Sequence, residues 1–225
     1  MYSKNGEVLF WWIMMETSNY IKTGTTTVGI VCKEGIVLGA DKRATAGFLI
    51  VDKKAEKIHK ITDNLAVTIA GTISDIQLLI RIARSELSLK QMRKGEEISV
   101  KEAANLIGRL VYTNIRKFST IPGVSHFILG GKDSEGFYAY DLFPDGTVTL
   151  IDDYVSSGSG SVMAFGVLDT MYKKNMSVED GVKLAITAVT AALQRDAASG
   201  EGIEVVTVTK DGVNRVFQKE IISKV

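Results

Sequence analysis

Cysteine is nearly missing from this chain: Cys32 is the only one, so no internal disulfide can form and nothing points to an oxidising compartment. It stands in an apolar run, where a buried, inert thiol is expected rather than a reactive one. Histidine is almost as scarce. His59 and His126 have no cysteine cluster near them, which argues against a zinc site, and neither metal nor cofactor is expected. An excess of one charge is also absent. Lys and Arg number 27 against 26 Asp and Glu, and a net charge of +1 gives no basic patch for nucleic acid. There is no Rossmann glycine fingerprint and no phosphate loop. The apolar run Val8 to Met15 (VLFWWIMM) is too short for a bilayer, which takes about 20 residues. Lys4 precedes it as in a signal peptide, but Glu7 and Glu16 bracket it and no small-residue cleavage pattern follows. With no linker or low-complexity tract either, the expectation is one cytoplasmic domain that binds neither nucleic acid nor membrane.

What is present reads as alternating blocks of strand and helix. Hydrophobic content of 45% and charged content of 24% in 225 residues suffice for a core without staples. Strands are expected at Thr27 to Cys32 and Ile36 to Ala40, joined by Lys33-Glu34-Gly35, then at Lys57 to Ile61 and Leu65 to Ala70. Ile76, Leu79, Ile80, Ala83 and Leu87 recur at helical spacing, fading near Lys94-Gly95. Ser99 and Glu102 form a capping-box signature for a second helix, whose apolar stripe is Ala103, Leu106, Ile107, Leu110 and Val111. Strands return at His126 to Gly130, Phe137 to Leu142, Thr147 to Ile151 and near Val155. Helices are expected over Val162 to Lys174 and Val178 to Ala198, the second capped by Ser177. Strands at Ile203 to Thr209 and Val213 to Phe217 end the series. That order predicts an α+β domain of two stacked antiparallel sheets with a helix pair outside each.

The stretch from Lys22 to Val31 (KTGTTTVGIV) allows two readings. The plainer one, favoured by this stretch alone, makes Thr25, Thr26 and Thr27 the β-branched opening of a strand. The other cuts the chain between Gly24 and Thr25. A threonine hydroxyl is a poor nucleophile without a base beside it, and the freed amine of Thr25 itself could be that base. Residues 1 to 24 are then a removable leader, and a frayed extension otherwise.

Several motifs in order resemble β-type subunits of the proteasome, closest to the archaeal kind. They are Gly24-Thr25-Thr26-Thr27-Val28-Gly29, Gly39-Ala40-Asp41-Lys42-Arg43-Ala44-Thr45, Lys57, Ile69-Ala70-Gly71, Gly130-Gly131 and Ser157-Gly158-Ser159-Gly160-Ser161. Tyr172, Met176 to Gly181 (MSVEDG) and Gln194 to Gly200 (QRDAASG) complete the set. Each motif is weak alone, but the ordered set spans nearly everything after residue 24. The resemblance implies an N-terminal-nucleophile (Ntn) hydrolase fold, a four-layer αββα sandwich, over residues 25 to 225, with 1 to 24 a propeptide removed by autocatalytic cleavage. It implies a zymogen of a threonine endopeptidase, working on unfolded polypeptides in a closed chamber. Partners would be other β subunits in a seven-membered ring, α-type subunits, and a regulatory ATPase acting through the α-rings.

Carried over position by position, Thr25 would be the nucleophile, with Lys57 beside its hydroxyl and Asp41 fixing Lys57 as a carboxylate orients the base of a triad. Asp41 and Lys57 would otherwise be ordinary solvated charges. Ser159, Asp196 and Ser199 would surround the Thr25 amine, although Asp196 lies near a helix C-terminus, a poor place for an anion. Gly71 would offer its N–H to an oxyanion. Thr45 would hold the substrate backbone, Ile69 would floor the first specificity pocket, and Ala44 and Ala55 would wall it. The apolar floor suggests cleavage after hydrophobic residues. His59 would share a strand face with Lys57, more as a buried structural histidine than as a pocket group. Where the family often has a smaller, glycine-rich turn, this chain has Thr72-Ile73-Ser74-Asp75, and Ile73 would narrow the cleft. Val162 stands where many archaeal members have proline.

Three rivals remain. A non-catalytic β-type ring subunit predicts a gap in the catalytic set, and none is missing. The simpler bacterial threonine peptidase is shorter and would lack the Arg195-Asp196…Ser199-Gly200 ending. A serine hydrolase built on Ser159 does not fit the nucleophile-elbow spacing, and no histidine follows that serine.

Overall fold

Two five-stranded antiparallel sheets carry the structure, a computed structural model that describes residues 24–220. The apolar run Val8 to Met15 lies outside those residues. In chain order come β1 (Thr27–Cys32), β2 (Gly35–Asp41), β3 (Ala44–Ala46), β4 (Leu49–Asp52), β5 (Ile58–Thr62) and β6 (Leu65–Gly71). Helices α1 (Ile73–Lys94) and α2 (Val100–Ile115) follow. Then come β7 (Ser125–Lys132), β8 (Phe137–Leu142), β9 (Val148–Ile151) and β10 (Tyr154–Ser157). Helices α3 (Ser161–Met171) and α4 (Val178–Arg195) precede β11 (Gly202–Thr209) and β12 (Gly212–Glu220). One sheet runs β10-β1-β2-β11-β12, the other β5-β6-β7-β8-β9, and β3-β4 form a separate ribbon.

Side-chain alternation sorts the strand residues into three apolar layers. Val28 and Ile30 of β1, with Ile203 and Val205 of β11, pack against Ala164 and Leu168 of α3 and Leu184, Ala188 and Val189 of α4. The opposite face of the same sheet sends Ile36, Leu38, Val206 and Val208 inward to meet Ala66, Ile128 and Ala139 of the second sheet. Val67, Ile69, Phe127 and Leu129 point the other way, onto Ile76, Leu79, Ile80 and Leu87 of α1 and Ala103, Ile107 and Val111 of α2. The result is the four-layer αββα sandwich of an Ntn hydrolase. Each fully buried leucine or isoleucine contributes about 1.5–3 kcal/mol by leaving water.

The helix starts are written locally. Ser99 accepts from Glu102 N at 3.2 Å while the Glu102 carboxylate accepts from Ser99 N, a reciprocal cap on α2. Ser177 accepts from Asp180 N at 3.1 Å and caps α4. The ends differ from expectation. Helix α3 stops at Met171 rather than Lys174, because Tyr172 turns its ring edge-on to Tyr154 and donates its hydroxyl to Val31 O. Helix α4 stops at Arg195, where Asp196 takes an extended conformation and its carboxylate accepts from Ala198 N.

Candidate active site

Six chain segments converge at the site, and Asp41 ties three of them to its own. It closes β2 with its side chain at 0% exposure, so its charge must be met by donors. Oδ1 accepts from Thr26 N at 2.9 Å and Lys57 Nζ at 2.7 Å. Oδ2 accepts from Arg43 N and Gly200 N, both at 3.0 Å. Asp41 and Lys57 are therefore no solvated surface charges. Lys57, one residue before β5 begins, is 4% exposed and also donates to Gly24 O at 3.4 Å. Burial pushes the Lys57 pKa below the ordinary lysine value, the Asp41 charge and hydrogen bond oppose that shift, and Arg43 adds to it.

Thr25 precedes β1 and is 5% exposed. Its hydroxyl donates to Gly24 O at 2.6 Å, and its backbone N–H donates to Ser159 Oγ at 3.3 Å. The single hydroxyl hydrogen of Ser159 goes to Asp196 Oδ2 at 2.6 Å, which leaves the oxygen's lone pairs free to accept from Thr25. Ser199 Oγ donates to the same Asp196 oxygen at 2.6 Å and lies 2.7 Å from Thr26 Oγ1. The unfavourable helix-end position of Asp196 is thus offset by three donors, two hydroxyls and the Ala198 amide. Arg43 braces the following loop, donating to Ala197 O at 2.8 Å and pairing with Glu201 at 3.1 Å.

A cavity of about 260 Å³ opens beside Thr25. Ala44, Ala55, Ile69, Gly71 and Ile73 line it, as does Thr45, whose Oγ1 accepts from Gly24 N at 2.9 Å. Gly71 has φ +126°, and a Cβ there would stand 2.2 Å from Val124 O, so only glycine fits this corner. His59 lines the cavity on the Lys57 side, half-buried, and burial together with the Arg84 charge lowers its pKa. The structure thus brings together every site residue singled out from the sequence. It adds Thr26, Arg43, Glu56 and Gln77, which that reading did not place in the site. Thr26 and Arg43 stand inside the motifs that carry the family resemblance, the one signal available for any of the four.

Comparison with known proteins gives this constellation a family. The family model described as Proteasome subunit matches residues 21–208. A protein named Proteasome subunit beta from Methanocorpusculum labreanum is 44% identical over 198 residues, covering 88% of this chain and 92% of that relative. One of the same name from Ferroglobus placidus is 43% identical over 198 residues, with the same two coverages. Another from Methanocaldococcus jannaschii is 40% identical over 206 residues, 91% of this chain and 90% of the relative. The chain belongs to the proteasome β-subunit family, of archaeal type. Among the described residues of this family member, no group of three or more His, Cys, Asp or Glu side chains is placed to hold a metal ion. Nor is any described helix long and apolar enough to cross a membrane.

Proposed function

We propose that the chain is the precursor of a threonine-type endopeptidase subunit of the proteasome core particle, with residues 1 to 24 a propeptide and 25 to 225 the mature domain. The observation that carries this reading is the buried Lys57, which donates both to Asp41 and to the carbonyl of Gly24, the residue whose peptide bond must break. Attack of Thr25 Oγ1 on the Gly24 carbonyl carbon closes a five-membered ring and puts negative charge on the carbonyl oxygen, 3.4 Å from Lys57 Nζ. Breaking the C–N bond, with a proton passing to the nitrogen, leaves the Gly24 acyl group as an ester on Oγ1. Water hydrolyses that ester, releasing the leader as a Gly24 carboxylate and restoring the Thr25 hydroxyl beside the amine that the shift has already freed.

In the mature chain that amine takes up the hydroxyl proton as Thr25 attacks a substrate carbonyl, and the charged Lys57 lowers the amine's proton affinity. Gly71 N–H receives the oxyanion. Asp41 fixes Lys57, while Ser159, Asp196 and Ser199 hold the new terminus. Thr45 binds substrate backbone where it now binds Gly24 N, so affinity is largely independent of sequence, and Ala44, Ala55, Ile69 and Ile73 shape a pocket for hydrophobic side chains. The working form is a β-ring enclosed by α-type subunits in the cytoplasm, fed by an ATPase acting through the α-rings.

Intact-mass analysis of particles assembled with an α-type subunit should find the first 24 residues gone. Thr25→Ala should keep them, assemble normally and leave a hydrophobic fluorogenic peptide uncut. Active particles still carrying Met1 to Gly24 would refute the terminal-amine role.

A further inference from the structure

A second polar chain lies behind the site, and no role has yet been given to its members. Asp141 of β8, His126 of β7 and Ser157 at the end of β10 are bonded in series: Asp141 Oδ1 lies 2.6 Å from His126 Nε2, and His126 Nδ1 lies 2.7 Å from Ser157 Oγ. An ionised carboxylate only accepts, so Nε2 carries the hydrogen; in the neutral ring Nδ1 is then bare and accepts from the Ser157 hydroxyl. The order Asp–His–Ser mimics a hydrolytic relay, but Ser157 is buried and does not line the cavity beside Thr25 where a substrate would enter. The chain must act on something inside the protein.

What it holds is evident from the topology. Asp141 and His126 belong to the second sheet and Ser157 to the first, so the chain is a directional bridge across the largely apolar layer between the sheets. His126 pairs across the strands with Ala70, and its neighbour Ser125 pairs with Gly71. Ser157 pairs with Thr27 and opens the turn that carries Ser159. That turn presses on the nucleophile. A Cβ on Gly158 would stand 2.1 Å from Thr25 O, and Gly160 N donates to the same oxygen at 3.3 Å. One imidazole thus spans the two arms of the site, the Gly71 corner and the Ser159 turn. His126 also stacks on Phe143 at 5.3 Å, which fixes its ring plane.

We infer that His126, oriented by Asp141, is a positioning residue that sets the Ser157–Gly160 turn, and through it Thr25, at its distance from the Gly71 corner. This rests on the threonine reading above. Small errors in the placement of a reacting group are expensive in rate, so the loss should fall on kcat rather than KM.

The test uses assembled particles and three variants: His126→Ala, Ser157→Ala and the conservative Asp141→Asn. Two readouts are independent. Amide hydrogen exchange at Ser159 to Ser161 should accelerate in His126→Ala and Ser157→Ala, and it needs no catalysis. In the same two variants kcat for a fluorogenic peptide should fall roughly tenfold or more at unchanged KM, with Asp141→Asn falling between them and the parent. Only two histidines occur in the chain, so a nitrogen-15 spectrum identifies His126 readily, and its Nδ1 signal should move in Ser157→Ala. Unchanged exchange, an unmoved Nδ1 signal, or kcat within twofold of the parent would each overturn the inference. Should Thr25→Ala prove as active as the parent, the threonine reading fails and takes the kcat claim with it. The exchange rates would still decide whether the bridge holds the turn.

Discussion

Asp41 illustrates how one side chain can serve both stability and chemistry. Its two oxygens take four donors, one from two residues along and three from other parts of the chain, none of them replaceable by water at 0% exposure. Asp41→Ala should therefore lower stability by about 3–5 kcal/mol, since it strands the buried Lys57 charge and three backbone amides. Denaturant melts of Asp41→Ala beside Thr25→Ala check this: both should be inactive, but only the first should shift its midpoint strongly. The sequence allowed the pairing of Asp41 with Lys57 to be expected through the family resemblance. It carried no sign of the bonds to Thr26, Arg43 and Gly200 amides, because a backbone donor leaves no mark on residue identity. Thr26 was read as strand, yet its hydroxyl meets Ser199. The His126 bridge leaves no mark in the sequence for a related reason: its three members lie on three strands, and nothing in their spacing links them.

Among the elements, those with strong periodicity were legible and those shaped by tertiary contacts were not. The stripe of α1 and the capping box of α2 appear where the sequence placed them, and strand Phe137–Leu142 matches residue for residue. The β3-β4 ribbon has no signature in the sequence. Its strands are short, β4 is exposed along its whole length, and neither shows the alternation that a half-buried strand imposes. The turn between β10 and α3 is the most exacting connection. Gly158 has φ +92°, and any side chain there collides with Thr25 O. Gly158→Ala should cut peptide hydrolysis by roughly 100-fold or more through displacement of Thr25. Rate measurement on assembled particles decides the point, and a fall of less than about twofold would mean that the turn yields without moving the threonine.

For the molecule as a whole, pH bears on stability through Glu204. This β11 side chain is 1% exposed, and Arg215 Nε lies 2.6 Å away without pointing its N–H along the contact, so neither carboxylate oxygen has a well-directed donor. Burial raises its pKa above the usual 4.5, and the charge of Arg215 only partly opposes that. The native state thus holds the proton more tightly than the unfolded chain does. The resulting stability is complete below the unfolded value and is lost as pH rises through the folded one. Glu204→Gln should accordingly melt higher than the parent at pH 8, with the difference shrinking at pH 4; thermal scans at the two values check it. A last consequence follows from Gly24, whose amide occupies Thr45 and whose carbonyl meets Lys57. On the proposed chemistry the leader is the first guest of the cleft, expelled once and never readmitted. Each freed leader peptide would then mark one site brought to life, so its molar yield would be a census of working centres, countable before any foreign protein is digested.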